Sequence, residues 1–220
     1  MKVSSRLSIE DSNSKLRLHG AECFPDVIEI AGTPCCGKTT CINLNRANEW
    51  VLLGGMPVSY GVIKRVLCSF LLSLYAVVNG LISFKQTCWL VKKALNYDET
   101  LFARMNALRN SMTKFGYHFF IQKFNSTLVD EGISQIPFIL GLESEDIDHF
   151  IILFRNQLEK VKIIFIEAPP KKILRARVIT RGHKRVRNVK KVEGFVDRNV
   201  RIAEYYKKAI TNAGFKVSII

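Results

Sequence analysis

No stretch of this sequence leaves less freedom than Gly32-Thr33-Pro34-Cys35-Cys36-Gly37-Lys38-Thr39. It satisfies G-x-x-x-x-G-K-[ST], and its flanks suit the pattern. The apolar, β-rich run Val27-Ile28-Glu29-Ile30-Ala31 precedes it, and a helical stretch from Lys38 to about Asn48 follows. The spacing has a physical basis. The glycines let the loop curl until successive backbone N–H groups point inward, in front of a helix N-terminus that already favours anions. Lys38 is then placed to reach the β/γ-phosphates, and the Thr39 hydroxyl to ligate Mg²⁺. The loop from Gly32 through Thr40 is therefore expected to bind a nucleoside triphosphate. Its variable positions hold Pro34, Cys35 and Cys36. A thiol near a helix N-terminus can have a lowered pKa, but small residues tolerated in a tight loop are the simpler reading, and no cysteine nucleophile is assigned.

A chain of 220 residues is expected to form one domain with a full core, unaided by disulfides or metals. Residues 1–26 are polar and read as a partly flexible tail, leaving 27–220 as the domain. The six cysteines form no C-x-x-C pair and no zinc-type spacing, which fits free thiols in a reducing, cytoplasmic setting. Val66 to Phe84 carries no charge and is long enough to cross a bilayer. Asn79-Gly80 interrupts it, however, and a single span there would put the two halves of the phosphate site on opposite sides of a membrane. A buried helical pair is expected instead, with no membrane span.

Pro57-Val58-Ser59-Tyr60 is a candidate second strand, and helical patterns cover about 62–78 and 81–95. Leu101, Met105, Leu108, Met112, Phe115 and Phe119 recur at helical spacing, with Asp98 placed to cap. Thr127-Leu128-Val129 reads as a strand, 144–160 as a helix and Val161–Glu167 as the clearest strand in the chain. Pro169-Pro170 opens a basic helix to Arg181, and a helix over about 192–211 and a strand over 215–220 complete the chain. Short apolar strands alternating with helices predict a three-layer α/β/α fold around a mainly parallel sheet.

Two further groups join the loop. Asp130 ends an apolar strand, where a carboxylate holds Mg²⁺ or its water, and Glu131 beside it is either a base or a first-turn helix residue. Between Lys160 and Lys191 lie twelve basic residues and one acid, a net +11 out of the chain's +14. Arg177 and Arg181 are four apart on the basic helix and share a face, so the segment over about 177–191, with Arg185 and Arg187, is expected to act as a lid. Its arginines would stabilise charge on a transferring phosphoryl group while the lid excludes water.

With loop, aspartate and arginine segment in this order, residues 27–220 resemble the thymidylate-kinase-like and nucleotide-kinase-like branch of the P-loop kinases. Phe165-Ile166-Glu167-Ala168-Pro169-Pro170 is similar to that branch's strand leading into a proline. Arg177-Val178-Ile179-Thr180-Arg181-Gly182 is similar to its lid entry, and Phe195 to Arg201, followed by Tyr205-Tyr206, to its post-lid helix. The resemblance implies a five-stranded parallel sheet in the order 2-3-1-4-5, with ATP on the loop and an acceptor across a cleft. Thymidylate kinases follow the strand-end aspartate with an arginine that helps hold the acceptor's phosphate, whereas this chain has Glu131. An acid there repels a phosphorylated acceptor, and a hydroxyl acceptor needs a base, which Asp130 or Glu131 could supply. The expectation is an Mg²⁺- and ATP-dependent kinase acting on a nucleotide, nucleoside or other hydroxyl-bearing metabolite. Arg104 and Arg109 are weak candidates for acceptor contacts, and a homodimer is compatible with the reading.

The charge also admits a P-loop NTPase or a polynucleotide kinase working on nucleic acid. From Lys171 to Gly194 there is no Phe, Tyr or Trp, so the stacking residues of a single-strand binder are missing from the basic segment. No N-K-x-D occurs, which disfavours a GTPase. A nucleotide-gated module without turnover stays open at this stage.

Overall fold

The computed structural model describes residues 27–38, 51–52, 62–97, 100–121, 127–181 and 189–220. Its strands are β1 (Val27–Gly32), β2 (Val51–Leu52), β3 (Thr127–Asp130), β4 (Val161–Ile166) and β5 (Val217–Ile219). Its helices are α1 (Val62–Val78), α2 (Phe84–Leu95), α3 (Leu101–Ile121), α4 (Ile136–Leu140), α5 (Ser144–Leu153), α6 (Arg155–Leu158), α7 (Lys171–Thr180) and α8 (Val189–Asn212). A 3-10 turn, Ile133–Gln135, leads into α4.

All strand pairings are parallel. The body of the sheet is β3-β1-β4-β5, and β2 adds a two-residue pairing at its outer edge, giving the order β2-β3-β1-β4-β5. The second strand thus differs from expectation: the edge pairing falls at Val51–Leu52, while Pro57–Tyr60 lie outside the described residues. β1 is buried at all six positions, so both faces of the sheet are covered there.

The main core joins the sheet to α3, α4, α5 and α8 through residues such as Phe115, Ile136, Phe150, Phe165 and Tyr206. A second, smaller core lies between α7 and α8, built from Leu174, Val178, Val192, Phe195, Val196 and Val200. Helix starts follow local chemistry. Ser83 and Gln86 form a reciprocal capping box at α2. At α3 the Thr100 hydroxyl accepts from Ala103 N at 3.3 Å; the expected cap, Asp98, lies outside the described residues.

Three expectations are corrected by packing. The single helix over 144–160 is two helices, because Phe154 leaves helical geometry (φ −108°, ψ 18°) and sets its ring among Trp89, Phe115 and Phe150. The charge-free run does break into two helices around Gly80 (φ 64°), but α1 is not a buried partner: its outer face is exposed. The post-lid helix begins earlier than expected, at Val189. No helix among the described residues is long and apolar enough to cross a membrane. Residues 1–26 lie outside the described residues.

Candidate functional site

Parallel register brings three strand ends to one edge. Ile30 lies opposite Asp130 on β3, and Gly32 opposite Ile166 on β4. Ligands of open α/β sheets bind outside this carboxyl edge. The chain leaves β1 through Gly32 at φ 147°, and a Cβ there would meet Ile166 O at 2.8 Å and Cys36 Sγ at 3.0 Å. Cys35 (φ 66°) and Gly37 (φ 119°) also lie at positive φ, so the loop turns back on itself as the motif requires. Cys36 N donates to Thr33 O at 3.2 Å.

Both cysteines are packed into the structure. Cys35 packs against the α7–α8 core, and Cys36 is buried, which pushes its thiol pKa up, away from the reactive range. Pro34 and Thr33 complete the turn, with Thr33 fully buried. Thr39, Thr40 and the expected helix beyond Lys38 lie outside the described residues.

Lys38 is buried, and its ammonium donates to the loop's own carbonyls, Gly32 O at 3.1 Å and Thr33 O at 3.2 Å. Glu131 stands opposite, its Oε1 4.0 Å from Lys38 Nζ and its Oε2 3.9 Å from Lys114 Nζ. Glu131 adopts a left-handed backbone (φ 65°), uncommon for a residue with a Cβ, as the chain turns sharply off β3. Asp130 precedes it. Burial and then the Glu131 charge raise the Asp130 pKa, against the opposing pull of Lys38, Lys114 and Arg181. Its Oδ1 is buried without a hydrogen-bond partner among the described residues. Lys38, Asp130 and Glu131 are therefore brought together, as the sequence suggested.

Four residues of this edge were not foreseen. Lys114 of α3 was hidden inside an apolar periodicity. It is largely buried, and burial lowers its pKa while Glu131, Asp130 and Glu29 pull the other way. Glu29, in the middle of β1, is 1% exposed and accepts from Ile133 N at 3.0 Å and Ser134 N at 2.8 Å. Burial would raise its pKa, but the nearby His118 and the hydrogen bonds from Ser134 override that and hold it below its ordinary value. His118 Nδ1 lies 3.8 Å from Glu29 Oε1. Gln135 Nε2 donates to Gly32 O at 3.1 Å, joining the turn after β3 to the phosphate loop. A charge inside the otherwise apolar Val27–Ala31 run was the available signal for Glu29.

The arginines divide. Arg177 Nη1 donates to Cys36 O at 3.0 Å and approaches Cys35 O at 3.4 Å, so α7 touches the loop directly. Arg181, one turn on, is exposed, and its charge reaches Asp130. Other members of the basic segment face α8 instead: Lys171 pairs with Asp197 and Arg175 with Glu193, each at 2.6 Å. Arg185 and Arg187 lie outside the described residues. Arg104 and Arg109, the weak candidates for acceptor contacts, lie on α3 ten and five residues before Lys114. On α3, His118 is level with Glu29 and Lys114 with Glu131, so earlier residues rise past the carboxyl edge. At about 1.5 Å per residue, Arg109 and Arg104 stand about 7 and 15 Å beyond Lys114. Arg109 is held on its own helix by Asn106 (2.6 Å) and Asn110 (3.3 Å).

The donor set suits a hard cation held largely by phosphate and water. Among the described residues no three His, Cys, Asp or Glu side chains cluster as ligands, whereas the partnerless Asp130 oxygen fits Mg²⁺ or one of its waters. A small cavity whose lining includes Glu29, Lys114, Tyr117, His118, Val129, Asp130 and Glu131 adjoins that carboxylate. The arrangement can thus place an anion over Lys38 and a cation, or a proton, at Asp130.

No protein-family model matches the sequence. No curated protein matches it either. Among solved structures the chain is similar to a deoxyadenosine kinase from M. mycoides with bound dATP, at 14% identity and a TM-score of 0.45, over 88% of this chain and 90% of that one.

Proposed function

We propose that this chain is an ATP-dependent phosphotransferase that moves the γ-phosphoryl group of ATP onto a hydroxyl of a small metabolite, with nucleosides and nucleotides the first candidates. The observation that carries the proposal is the Asp130–Glu131 pair beside Lys38: one half-buried carboxylate with a raised pKa and a buried oxygen unpartnered among the described residues, at the mouth of a phosphate loop.

Without a cation, burial and Glu131 make Asp130 hold a proton more readily than an ordinary aspartate; when it ligates Mg²⁺, Glu131 is the carboxylate left to act as base. In the transfer, the bond from the γ-phosphorus to the ADP oxygen breaks and a bond to the acceptor oxygen forms. The hydroxyl proton passes to Asp130 where the ion is held through its water, or to Glu131 where Asp130 ligates the ion directly. Lys38 exchanges carbonyl partners for phosphate oxygens. Arg177 braces the loop, and Arg181 adds positive charge on the Asp130 side, where equatorial oxygens gain charge. Mg²⁺, when bound, would neutralise charge shared by the β- and γ-phosphates. Thr39 is its second expected ligand.

Hydrolysis is the competing outcome, because Glu131 beside Asp130 could orient water. The test is a transfer assay with γ-labelled ATP and Mg²⁺ against nucleosides, nucleotides, sugars and 5′-OH oligonucleotides. Label is expected in one small acceptor, and Lys38→Ala should abolish both ATP affinity and transfer. Label released only as inorganic phosphate would replace the kinase with an NTPase, and label on the oligonucleotide alone would assign the basic segment to nucleic acid.

A further inference from the structure

Lys38 is held on the loop by two carbonyls, and each of them has a second donor. Thr33 O accepts from Lys38 Nζ at 3.2 Å and from Cys36 N at 3.2 Å. Gly32 O accepts from Lys38 Nζ at 3.1 Å and from Gln135 Nε2 at 3.1 Å. A carbonyl oxygen has two lone pairs, so both donors can be accommodated at once. The Cys36 bond belongs to the loop's own turn. The Gln135 bond does not: it crosses from the turn after β3, 103 residues further along the chain.

On stability alone Gln135 is a poor choice. It is 3% exposed, and its Oε1 is buried without a hydrogen-bond partner among the described residues. A buried amide oxygen left that way is destabilising. With Lys38 on the loop, Gly32 O already has one donor and gains little from another. An apolar side chain of the same length would fill the position without the orphan oxygen. Yet the amide is carefully aimed. Ile133 N and Ser134 N are pinned by Glu29 of β1, and Gln135 N donates to Gly132 O at 3.1 Å, so the turn that carries Gln135 is fixed to the same strand whose last carbonyl its side chain reaches.

The second donor matters when the first leaves. An ammonium that moves to a phosphate gives up both carbonyls, and a buried acceptor left with no donor opposes that move. Cys36 N keeps Thr33 O bonded, and Gln135 Nε2 keeps Gly32 O bonded. We propose that Gln135 is a positioning residue for nucleotide binding: it retains the Gly32 carbonyl, so that Lys38 is free to pass to the phosphates of ATP. The inference rests on the reading of the loop as an ATP site and adds a residue that the loop motif does not contain.

Calorimetric titration of wild type and Gln135→Met with ATP and Mg²⁺ tests it. Methionine fills a similar space and lacks the donor. ATP binding should weaken about 10-fold or more, the effect of one buried acceptor left unpaired. The melting temperature without nucleotide should hold or rise. In turnover, KM for ATP should rise with the dissociation constant while kcat at saturation falls far less. A glutamine that only braces the fold would act differently: a lower melting temperature with affinity unchanged, or reduced only in proportion to unfolding, overturns the proposal. If Gln135→Met does not fold, the side-chain amide of Gln135 in ¹⁵N-labelled wild type carries the test. Its protons should stay protected from solvent exchange when ATP is added; protection lost on adding ATP means that the amide leaves Gly32 O along with Lys38, and overturns the proposal. Wild type that takes up no ATP removes the reading of the loop and this inference with it, whereas wild type and Gln135→Met binding ATP equally well overturn this inference alone.

Discussion

Glu29 and Asp130 stand on neighbouring strands, one step apart in register, since Glu29 lies opposite Val129 and Ile30 opposite Asp130. Glu29 is fully buried and Asp130 half-buried, and their surroundings treat them in opposite ways. Glu29 is saturated: two backbone N–H groups and His118 converge on it, and its pKa is held down. Asp130 keeps a buried oxygen without a hydrogen-bond partner among the described residues, and its pKa is pushed up. A buried acid with all its bonds made acts as a fastener, here for the turn Gly132–Ser134. A buried acid with a bond left over stores a demand that a cation or a proton can meet. The fastener makes the other acid usable, because the turn it holds begins next to Asp130.

The sharpest way to break this contrast is Asp130→Asn. If Asp130 serves chemistry, phosphoryl release from ATP should fall about 10³-fold, equivalent to about 4 kcal/mol of barrier. The melting temperature should hold or rise, because a neutral amide removes a charge that burial disfavours. Asparagine that unfolds the protein would make Asp130 a second fastener.

The next effect belongs to the fastener. At Gly132 the backbone φ is ordinary (−76°), but any Cβ would overlap the Glu29 carboxylate. Gly132→Ala should therefore cost about 3 kcal/mol, the upper range of overpacking penalties, read from the urea midpoint. Glu29→Gln should cost about 2 kcal/mol, because the amide accepts with one oxygen only and leaves a buried N–H of Ile133 or Ser134 facing another donor. Both variants should lose ATP turnover in proportion to unfolding, with kcat of the folded fraction reduced far less than in Asp130→Asn.

The contrast also marks where the sequence could be read and where it could not. The phosphate loop, β1, β4, α1 and α3 are local patterns, and each sits within a few residues of its expected place. Asp130 was legible because a strand-end acid is itself a local pattern. Glu29 was not, since its partners lie 104 and 105 residues away and only the sheet's register brings them near. Lys114 failed to stand out for the same reason: one cation in an amphipathic helix looks solvated until β3 is placed beside it. Phe154 shows the opposite failure, a good helical pattern interrupted because three aromatic rings are better packed with the helix broken. The basic segment read as one lid, yet Lys171 and Arg175 fasten α7 to α8 while Arg177 and Arg181 turn to the loop.

The smallest effect is a slope. Glu29 has a folded pKa below its unfolded one, so the stability it contributes is fully present above the unfolded value and is lost as pH falls through the folded value. Asp130 has a folded pKa above its unfolded one, so its contribution runs the other way: it favours the folded state in acid and is lost as pH rises through the folded value. Each pK unit of difference corresponds to about 1.4 kcal/mol. Urea denaturation of wild type, Glu29→Gln and Asp130→Asn between about pH 3 and 8 separates the two acids. The deficit of Glu29→Gln should shrink toward acid, where wild type loses the same charge. The advantage of Asp130→Asn should also shrink toward acid, where Asp130 takes up its proton and ceases to be a burden. Because the two differences have opposite signs at neutral pH and converge at low pH, parallel curves for the two variants would mean that both acids are held alike.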